Sequence, residues 1–479
     1  MVSLTDELCA SFRDLERHFD PSSEGRLGRF DSATVREHLS AFRAIEAGVE
    51  ELEVEDSADE IDRTALLDDI RVTIFRYQHE RPHVRNPAFW ILRVCEALSV
   101  RLAPSTSPGA GVGTPDRSSL ELLKAIPGYL EGAEATLKVP PSIFIDLARA
   151  LIEPAADLIR QCMRDAEGDH EVRAAVLAAE AALARFSVFL ETELSQDAEE
   201  RPPGVGEEEF ERILHFRYAL RAGAGEVWRY VQRLVEEVDG AVKGDGRPRI
   251  LERTREAAVE LEASAKPLGF PVPHGLPAIV ETPRHRTLVD PLAEYFRGVA
   301  GQGRFELSGH DWYEPMLVAL AAENLVPGVH TLAAHAAGLR SRVRQTACVA
   351  DAGFGLYALA ILDEAGAVNQ RELLLYRAVL ARIDIGLHTG QLSLADALRL
   401  LADRFPMQPR EALAAVRGVL MAPGDATGAI ITRRELLRLR DDRRRTMGDR
   451  FSYAKHHAEV MAYGGLPVSL IRWGMGVEE

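Results

Sequence analysis

The chain of 479 residues is predicted to have a mainly α fold with a small β-sheet or hairpin. Two observations carry this prediction: apolar residues recur at helical spacing over long segments, and strand-like segments are few. The first apolar stripe lies near the N-terminus and consists of Leu8, Phe12, Leu15 and Phe19. Thr5 stands just before the acidic first turn of this stripe, where an N-cap hydroxyl is expected. We therefore predict a helix that is capped by Thr5.

Later segments repeat the helical pattern and add two candidate strands. Apolar residues follow the helical period in 183–194 and in 227–238, and Gly240 is placed where the second of these helices would stop. The candidate strands are FPVPHGLPAIVE (270–281) and GRFELSG (303–309), each bounded by Gly or Pro. These two segments predict the small sheet or hairpin between long helical regions.

Composition and charge limit the class of protein. Hydrophobic residues make up 46% of the chain and charged residues 27%, which is typical of a globular protein. The formal net charge of −17 argues against a nucleic-acid-binding protein, because that class normally presents a basic surface. The basic run at 433–445 is interrupted by leucines and acidic residues, so it predicts an amphipathic helix rather than a nucleic-acid site.

The sequence favours a cytoplasmic protein without a membrane partner. The N-terminal segment MVSLTDELCASF lacks the basic start and the apolar core of a signal peptide. We expect no membrane span, because no uninterrupted apolar run is long enough to cross a bilayer. The four cysteines are scattered without a CxxC pair, a pattern typical of reduced thiols.

Two segments rich in loop-forming residues are predicted to be flexible connections. They are APSTSPGAGVGTPD (103–116) and SQDAEERPPGVGEEE (195–209). The GAGVG segment (109–113) lacks the strand and helix that flank a nucleotide-binding loop, so it is interpreted as part of the first connection.

A series of motifs in the last three hundred residues points to a known family. The motifs include ALARFSVFLETEL (182–194), VETPRHRTLVDPLAEYF (280–296), VPGVH (326–330), GFGLYA (353–358), DIGLHTGQLSLADAL (384–398), MAPGDA (421–426) and HHAEVMAYGGLPVSL (456–470). In this order they resemble the bacterial domain-of-unknown-function 885 family. Residues 180–479 are predicted to form the family-like region, and residues 1–179 to form an N-terminal helical region of the same fold.

The resemblance implies a large helical fold similar to zinc metallopeptidases, with a central cleft. The family's main motif is H-E-x-x-P-G-H-H, in which imidazoles and a carboxylate hold zinc and a glutamate takes a proton from the metal-bound water. In this chain Glu323 replaces the first histidine, Asn324 replaces the catalytic glutamate, and only His330 is left of the histidines. We therefore predict no metal and no other cofactor. Whether Glu323 or Asp351 restores an altered metal site stays open at this point.

Other polar positions of the implied cleft supply the candidate site. The candidate catalytic residues are His330, His388 and His457. The candidate substrate-binding residues are Glu323, Asn324, Arg342, Arg344, Tyr357 and Asp425. His388 and His457 are equally well interpreted as hydrogen-bonded structural histidines, and an aromatic such as Tyr357 on an apolar helix is more often a core side chain.

These motifs lead to one leading hypothesis and two alternatives. The leading hypothesis is a metal-independent enzyme on a zinc-hydrolase-like scaffold, which acts by acid–base chemistry on a small amino-acid-like or peptide-like substrate in specialised metabolism. The first alternative is a non-catalytic binding or scaffold protein. The second is a residual metallohydrolase with an altered zinc site. The expected partner is a small-molecule substrate, and the sequence leaves a homodimer open.

Overall fold

The computed structural model of this protein describes most of the chain. The described residues are 3–54, 56–102, 117–138, 140–164, 169–195, 202–240, 249–290, 292–298, 303–308 and 314–477. The predicted connection at 103–116, with the GAGVG segment inside it, lies outside the described residues, as do residues 196–201 of the second predicted connection.

The chain divides into two compact units. The larger unit consists of Met1–Cys9, Val49–Val72 and Gly204–Glu479, and the smaller unit of Ala10–Gly48 and Thr73–Pro203. All candidate site residues belong to the larger unit. The division of the sequence at residue 180 stays a prediction.

The described residues up to 203 are helical wherever they are regular. The helices are α1 (Leu4–Phe19), α2 (Ser32–Glu50), α3 (Ser57–Phe75), α4 (Pro82–Arg85), α5 (Pro87–Leu102), α6 (Arg117–Thr136), α7 (Ser142–Arg164) and α8 (His170–Phe189). Within the smaller unit, α5 packs against α7 and α6 packs against α8. The predicted cap at Thr5 is wrong, because Ser3 Oγ accepts the Asp6 amide at 3.1 Å and the helix already begins at Leu4.

The larger unit is built mainly from the helices that follow. They are α9 (Glu207–Tyr218), α10 (Ala224–Val238), α11 (Ile250–Ala265), α12 (Glu314–Asn324), α13 (Val329–Ala336), α14 (Arg342–Thr346), α15 (Asp351–Glu364), α16 (Arg371–His388), α17 (Leu394–Ala402), α18 (Pro409–Met421), α19 (Asp425–Met447), α20 (Tyr453–Met461) and α21 (Val468–Gly474). The predicted helices at 227–238 and 433–445 are confirmed as parts of α10 and α19. Together with the small sheet below, these helices confirm the mainly α fold.

One three-stranded sheet interrupts the helices. Its strands are β1 (Ala278–Glu281), β2 (Ala293–Arg297) and β3 (Gly303–Leu307), in the order β1-β3-β2. β1 pairs with β3 in parallel, with Ile279 opposite Phe305, and β2 pairs with β3 in antiparallel orientation. Both predicted strand segments contain a strand. β2 was not predicted, although Pro291 and Gly298 flank AEYFR, because Ala and Glu supply two of its five residues and are uncommon in strands.

Glycines let the helices of the site approach each other closely. A Cβ added to Gly355 of α15 would lie 2.3 Å from the carbonyl oxygen of Glu323, so only glycine fits where α15 crosses α12. A Cβ on Gly328 would lie 1.8 Å from the same oxygen. The rewritten motif is therefore held in a tight turn against α15.

One segment of the described residues, Pro315–Ala336, meets the length and hydropathy criteria of a membrane span. The sequence-based expectation that no run is long enough is therefore corrected. The segment is 94% buried inside the structure, and buried core helices meet the same criteria.

Candidate functional site

The end of α12 carries the rewritten motif, and its carboxylate is bound by an arginine. Arg377 of α16 donates to both oxygens of Glu323, from Nε at 2.8 Å and from a terminal nitrogen at 2.8 Å. Glu323 and Asn324 are buried, and the Asn324 amide donates to Glu323 at 3.0 Å and to the Leu320 carbonyl at 3.1 Å. Burial opposes charge on Arg377, but Glu323 raises the pKa of its guanidinium overall. Glu323 is thus one half of a bidentate ion pair.

His330, in the first turn of α13, uses both of its ring nitrogens. The Nδ1 atom lies 2.9 Å from the Tyr295 hydroxyl and the Nε2 atom 2.8 Å from the Gly275 carbonyl oxygen. A carbonyl only accepts, so Nε2 carries the proton and Nδ1 accepts from the tyrosine. Burial lowers the pKa of His330 although the bond to Gly275 opposes this. His330 is therefore a neutral imidazole with two internal partners.

These contacts do not fit the zinc site that the resemblance implies. A structural or catalytic zinc needs three or more protein ligands with free lone pairs. The lone pairs of Glu323 face Arg377 and Asn324, and the accepting nitrogen of His330 faces Tyr295. Within the described residues no group of three or more His, Cys, Asp or Glu side chains is arranged to hold a metal ion.

The start of α15 repeats the pattern of an acid bound by an arginine. Asp351 is buried, and Arg297 of β2 binds both of its carboxylate oxygens. Burial raises the pKa of Asp351 against the opposing effect of Arg297. The side chain that was the candidate replacement ligand is therefore bound to a cation.

His457 and Tyr357 form a buried pair between α20 and α15. The Tyr357 hydroxyl lies 2.9 Å from His457 Nε2, and His457 Nδ1 donates to the Leu268 carbonyl at 2.9 Å. Phe270 stacks on the imidazole with 3.8 Å between ring centroids. Burial lowers the pKa of His457 to about 3, against the bond to Leu268, so the ring is neutral at physiological pH.

The next residue, His456, has no hydrogen-bond partner in the described part of the chain. It is 1% exposed, and neither ring nitrogen is bonded. Its ring lies 5.7 Å from that of Phe451 and 6.5 Å from that of Tyr357. Burial, followed by the neighbouring His457 and arginines, lowers its pKa to about 3.

Asp384 and His388 lie one turn apart at the end of α16; Asp384 holds the start of α19, and His388 contacts Val205 and the end of α18. Asp384 is fully buried and accepts the amides of Gly424 and Thr427, each at 3.0 Å. Burial raises the pKa of Asp384 to about 7, although these bonds oppose the rise. His388 accepts the Val205 amide on Nδ1 at 3.3 Å, and its Nε2 lies 3.3 Å from the Val419 carbonyl. The motifs DIGLHTGQLSLADAL and MAPGDA are thus joined, because the Asp384 carboxylate caps the N-terminus of α19.

Asp425 lies beside the cap that Asp384 forms, and the two candidate arginines lie on α14. Asp425 stands in the first turn of α19 and is paired with Arg217 of α9, and its side chain is 43% exposed. Arg342 is exposed on α14. Arg344 binds Asp62 at 2.6 Å and stacks over the Tyr463 ring, 4.7 Å from its centroid.

The structure therefore brings Glu323 to Asn324 and Tyr357 to His457, and it gives each of the three candidate histidines its own partners. The sequence interpretation missed the partner side chains Arg377, Arg297, Arg217 and Tyr295. Only Arg377 has a signal: it lies seven residues, or two turns, before Asp384, and therefore on the same face of α16.

Comparisons with known proteins agree with this fold and name no activity. The structure of a candidate lipoprotein of unknown function from Shewanella oneidensis has a TM-score of 0.76 at 16% identity, with 99% of this chain and 100% of that chain covered. A candidate lipoprotein from Colwellia psychrerythraea has a TM-score of 0.78 at 13% identity, with 98% and 97% covered. At these identities the likeness concerns the fold alone. No curated protein matches the chain significantly.

A family model supplies the assignment. The model described as bacterial protein of unknown function (DUF885) matches residues 219–475, which is more than half of the chain and includes the motifs from VETPRHRTLVDPLAEYF onward. The chain therefore belongs to the DUF885 family of bacterial proteins.

Proposed function

We propose that this protein is a metal-independent binding protein on a hydrolase-like helical scaffold. The observation that carries the proposal is the bidentate pair between Glu323 and Arg377. The resemblance would place a zinc-binding histidine at position 323, and a guanidinium occupies both oxygens of the carboxylate found there. A cation site needs those oxygens, so the pair supports a scaffold that works without zinc.

The state of the histidines favours binding over catalysis. A general acid or base works best when its pKa lies near the working pH and when one nitrogen can reach the substrate. His330 and His457 are buried with both nitrogens bonded to the protein, and burial lowers the pKa of each. Neither has a nitrogen left for a substrate proton without breaking an internal bond.

The test combines metal analysis with an activity panel. Protein purified without chelator is analysed by plasma mass spectrometry and assayed on aminoacyl anilides, dipeptides and short esters. We expect substoichiometric zinc and no turnover above a heat-treated control. Stoichiometric zinc that is lost in Glu323→Gln and His330→Gln, but kept in the exposed variant His170→Gln, would refute the proposal.

A metal-independent acid–base enzyme is the second candidate, and one observation favours it. His456 has two unbonded nitrogens, so unlike His330 and His457 it would hydrogen-bond a substrate without breaking an internal bond, although its ring, 1% exposed, has to be uncovered first. Turnover in the panel that is lost in His456→Gln and kept in His170→Gln would support this candidate against the first.

We further propose a cytoplasmic location, because the four cysteines are free thiols, the state that a reducing compartment maintains. The description of the two similar structures as candidate lipoproteins points the other way. Fractionation of the native bacterium, followed by immunoblotting of the cytoplasmic and membrane fractions, decides between the two.

A further inference from the structure

A cavity of about 810 Å³ lies between α19, α20 and α21, away from the rewritten motif. Its polar lining consists of Asp442, Arg443, Arg445, Thr446, Glu459, Tyr463 and Arg472. Its volume falls in the range of roughly 300–1,000 Å³ that is typical of small-molecule sites. The cavity is therefore large enough for an organic ligand.

A second cavity of about 460 Å³ adjoins the first. It lies between the segment Tyr218–Ala222, α19 and α21. Asp442 and Arg472, which bind each other at 2.9 Å, line both cavities, so the two cavities meet at this ion pair. The two cavities together make one elongated site along α19.

The charge of this site is opposite to that of the chain. Five arginines and three carboxylates line the two cavities, whereas the whole chain carries a formal net charge of −17. A local excess of cations in an acidic protein concentrates anions at that place. The charge therefore selects an anionic ligand.

Arg443 is the residue best placed to bind such an anion. Its side chain is 11% exposed. One terminal nitrogen is paired with Glu459 and donates to the Met447 sulfur at 3.6 Å, and its Nε is buried without a hydrogen-bond partner among the described residues. A guanidinium carries five N–H donors, and one carboxylate uses two of them at most. Arg443 therefore keeps donors after pairing with Glu459.

The same cavity has an apolar side. Met447, Ala462, Met475 and Val477 line it together with the ring of Tyr463. Arg344, a candidate from the sequence, supports that ring from behind through its stack on Tyr463. Methionines adapt to ligands of different shape, so this side suits a short apolar chain.

We propose that the cavity between α19, α20 and α21 binds a small organic anion, with its carboxylate or phosphate head at Arg443 and its apolar part against Met447, Met475 and Val477. The inference rests on the proposed binding function and names the site and ligand class for it. The neighbouring cavity receives the remainder of a longer ligand.

The experiment is calorimetric titration of the full chain with octanoate and with octyl phosphate. Octanol, which lacks the anion, and inorganic phosphate, which lacks the chain, are the ligand controls. We expect saturable binding of one molecule of at least one amphipathic anion and weaker binding of both controls. Preference for octanoate or for octyl phosphate separates a carboxylate from a phosphate head.

A matched pair of variants tests the place of binding. Arg443→Gln is expected to weaken binding about tenfold or more, the effect of losing a charge-assisted bond. Arg444→Gln makes the same charge change one residue away on α19, outside the cavity lining, and is expected to change binding less than about twofold. If circular dichroism shows that Arg443→Gln does not fold, Arg472→Lys is the second variant. It keeps the charge but removes the planar guanidinium with its two parallel donors, and it is expected to weaken binding too.

Three results would overturn the inference: no binding of either amphipathic anion, equal binding of octanol, or equal losses in Arg443→Gln and Arg444→Gln. These results are distinguishable from a failure of the proposed metal-independent binding function. That failure would appear as stoichiometric zinc or as turnover, and both are measured separately from anion binding.

Discussion

Replacing Arg377 with methionine tests whether the ion pair holds the rewritten motif in place. In the native chain Arg377 neutralises Glu323, whose side chain is 4% exposed. Methionine fills much of the same volume, so the change removes the charge without opening a large cavity. Glu323 is left as a buried carboxylate bonded only to the Asn324 amide.

The expected cost follows from the burial of the group that remains. Removing one partner of a buried ion pair costs about 3–5 kcal/mol, because the other charge stays desolvated. Glu323→Met should cost less, about 1–3 kcal/mol, because the remaining guanidinium is 21% exposed and can reach water. The double variant Glu323→Met/Arg377→Met should cost less than Arg377→Met alone, since no unpaired charge remains.

Hydrogen–deuterium exchange of peptides from α12 and α16 measures these costs locally. At about 1.4 kcal/mol per factor of ten, Arg377→Met should speed exchange there by about a hundred- to a few thousand-fold. Arg399→Met removes an exposed pair, with side chains 67% and 45% exposed, and is expected to change exchange by less than about fivefold. Exchange in Arg377→Met equal to that in Arg399→Met would refute the assignment of the pair as a structural contact.

Three further predictions concern the buried hydrogen bonds. The imidazole of unfolded His457 is protonated below about pH 6.5, whereas the native imidazole stays neutral down to about pH 3, so acid should lower the free energy of unfolding by up to about 1.4 kcal/mol per pH unit. His457→Gln removes this titration and should flatten the plot of urea midpoint against pH. Parallel plots for the variant and the native chain would contradict the prediction. Asp384→Ala should lower the free energy of unfolding in urea by about 2–4 kcal/mol, because the buried amides of Gly424 and Thr427 lose their acceptor. A loss under about 1 kcal/mol would show that water replaces the carboxylate. Tyr357→Phe should cost about 1–2 kcal/mol and free His457 Nε2, seen as a changed nitrogen shift in NMR; an unchanged shift speaks against the bond.

The fold was largely predictable, because it depends on patterns that a single sequence displays. Apolar residues at helical spacing give α10 and α19, and segments bounded by Gly or Pro give β1 and β3. β2 was missed although Pro291 and Gly298 flank it, because Ala and Glu supply two of its five residues and are uncommon in strands. The cap at Thr5 was misplaced by two residues, since Ser3 and Thr5 offer the same hydroxyl chemistry.

The candidate site was predictable only as a set of motif positions. Sequence spacing shows that Glu323 stands where a histidine is expected, but the guanidinium that binds it comes from a helix 54 residues later. Asp351 and Arg297 are likewise 54 residues apart, and Asp425 and Arg217 are 208 apart. Such pairings depend on how helices cross, which no local pattern encodes.

The three acid–arginine pairs together suggest what the polar positions of the motifs do. Each pair joins two elements: α12 to α16, β2 to α15, and α9 to α19. For the two buried pairs, Glu323–Arg377 and Asp351–Arg297, apolar residues would stabilise the junction as well or better, so their contribution lies in fixing one arrangement of the elements rather than in net stability. The Asp425–Arg217 pair is 43% and 33% exposed, so its contribution is smaller. Arg377, Arg297 and Arg217 thus join elements of the fold, and none of them lines the two cavities. The ligand is then expected where charge is in excess and donors are unused, and within the described residues the cavity beside Arg443 combines both properties.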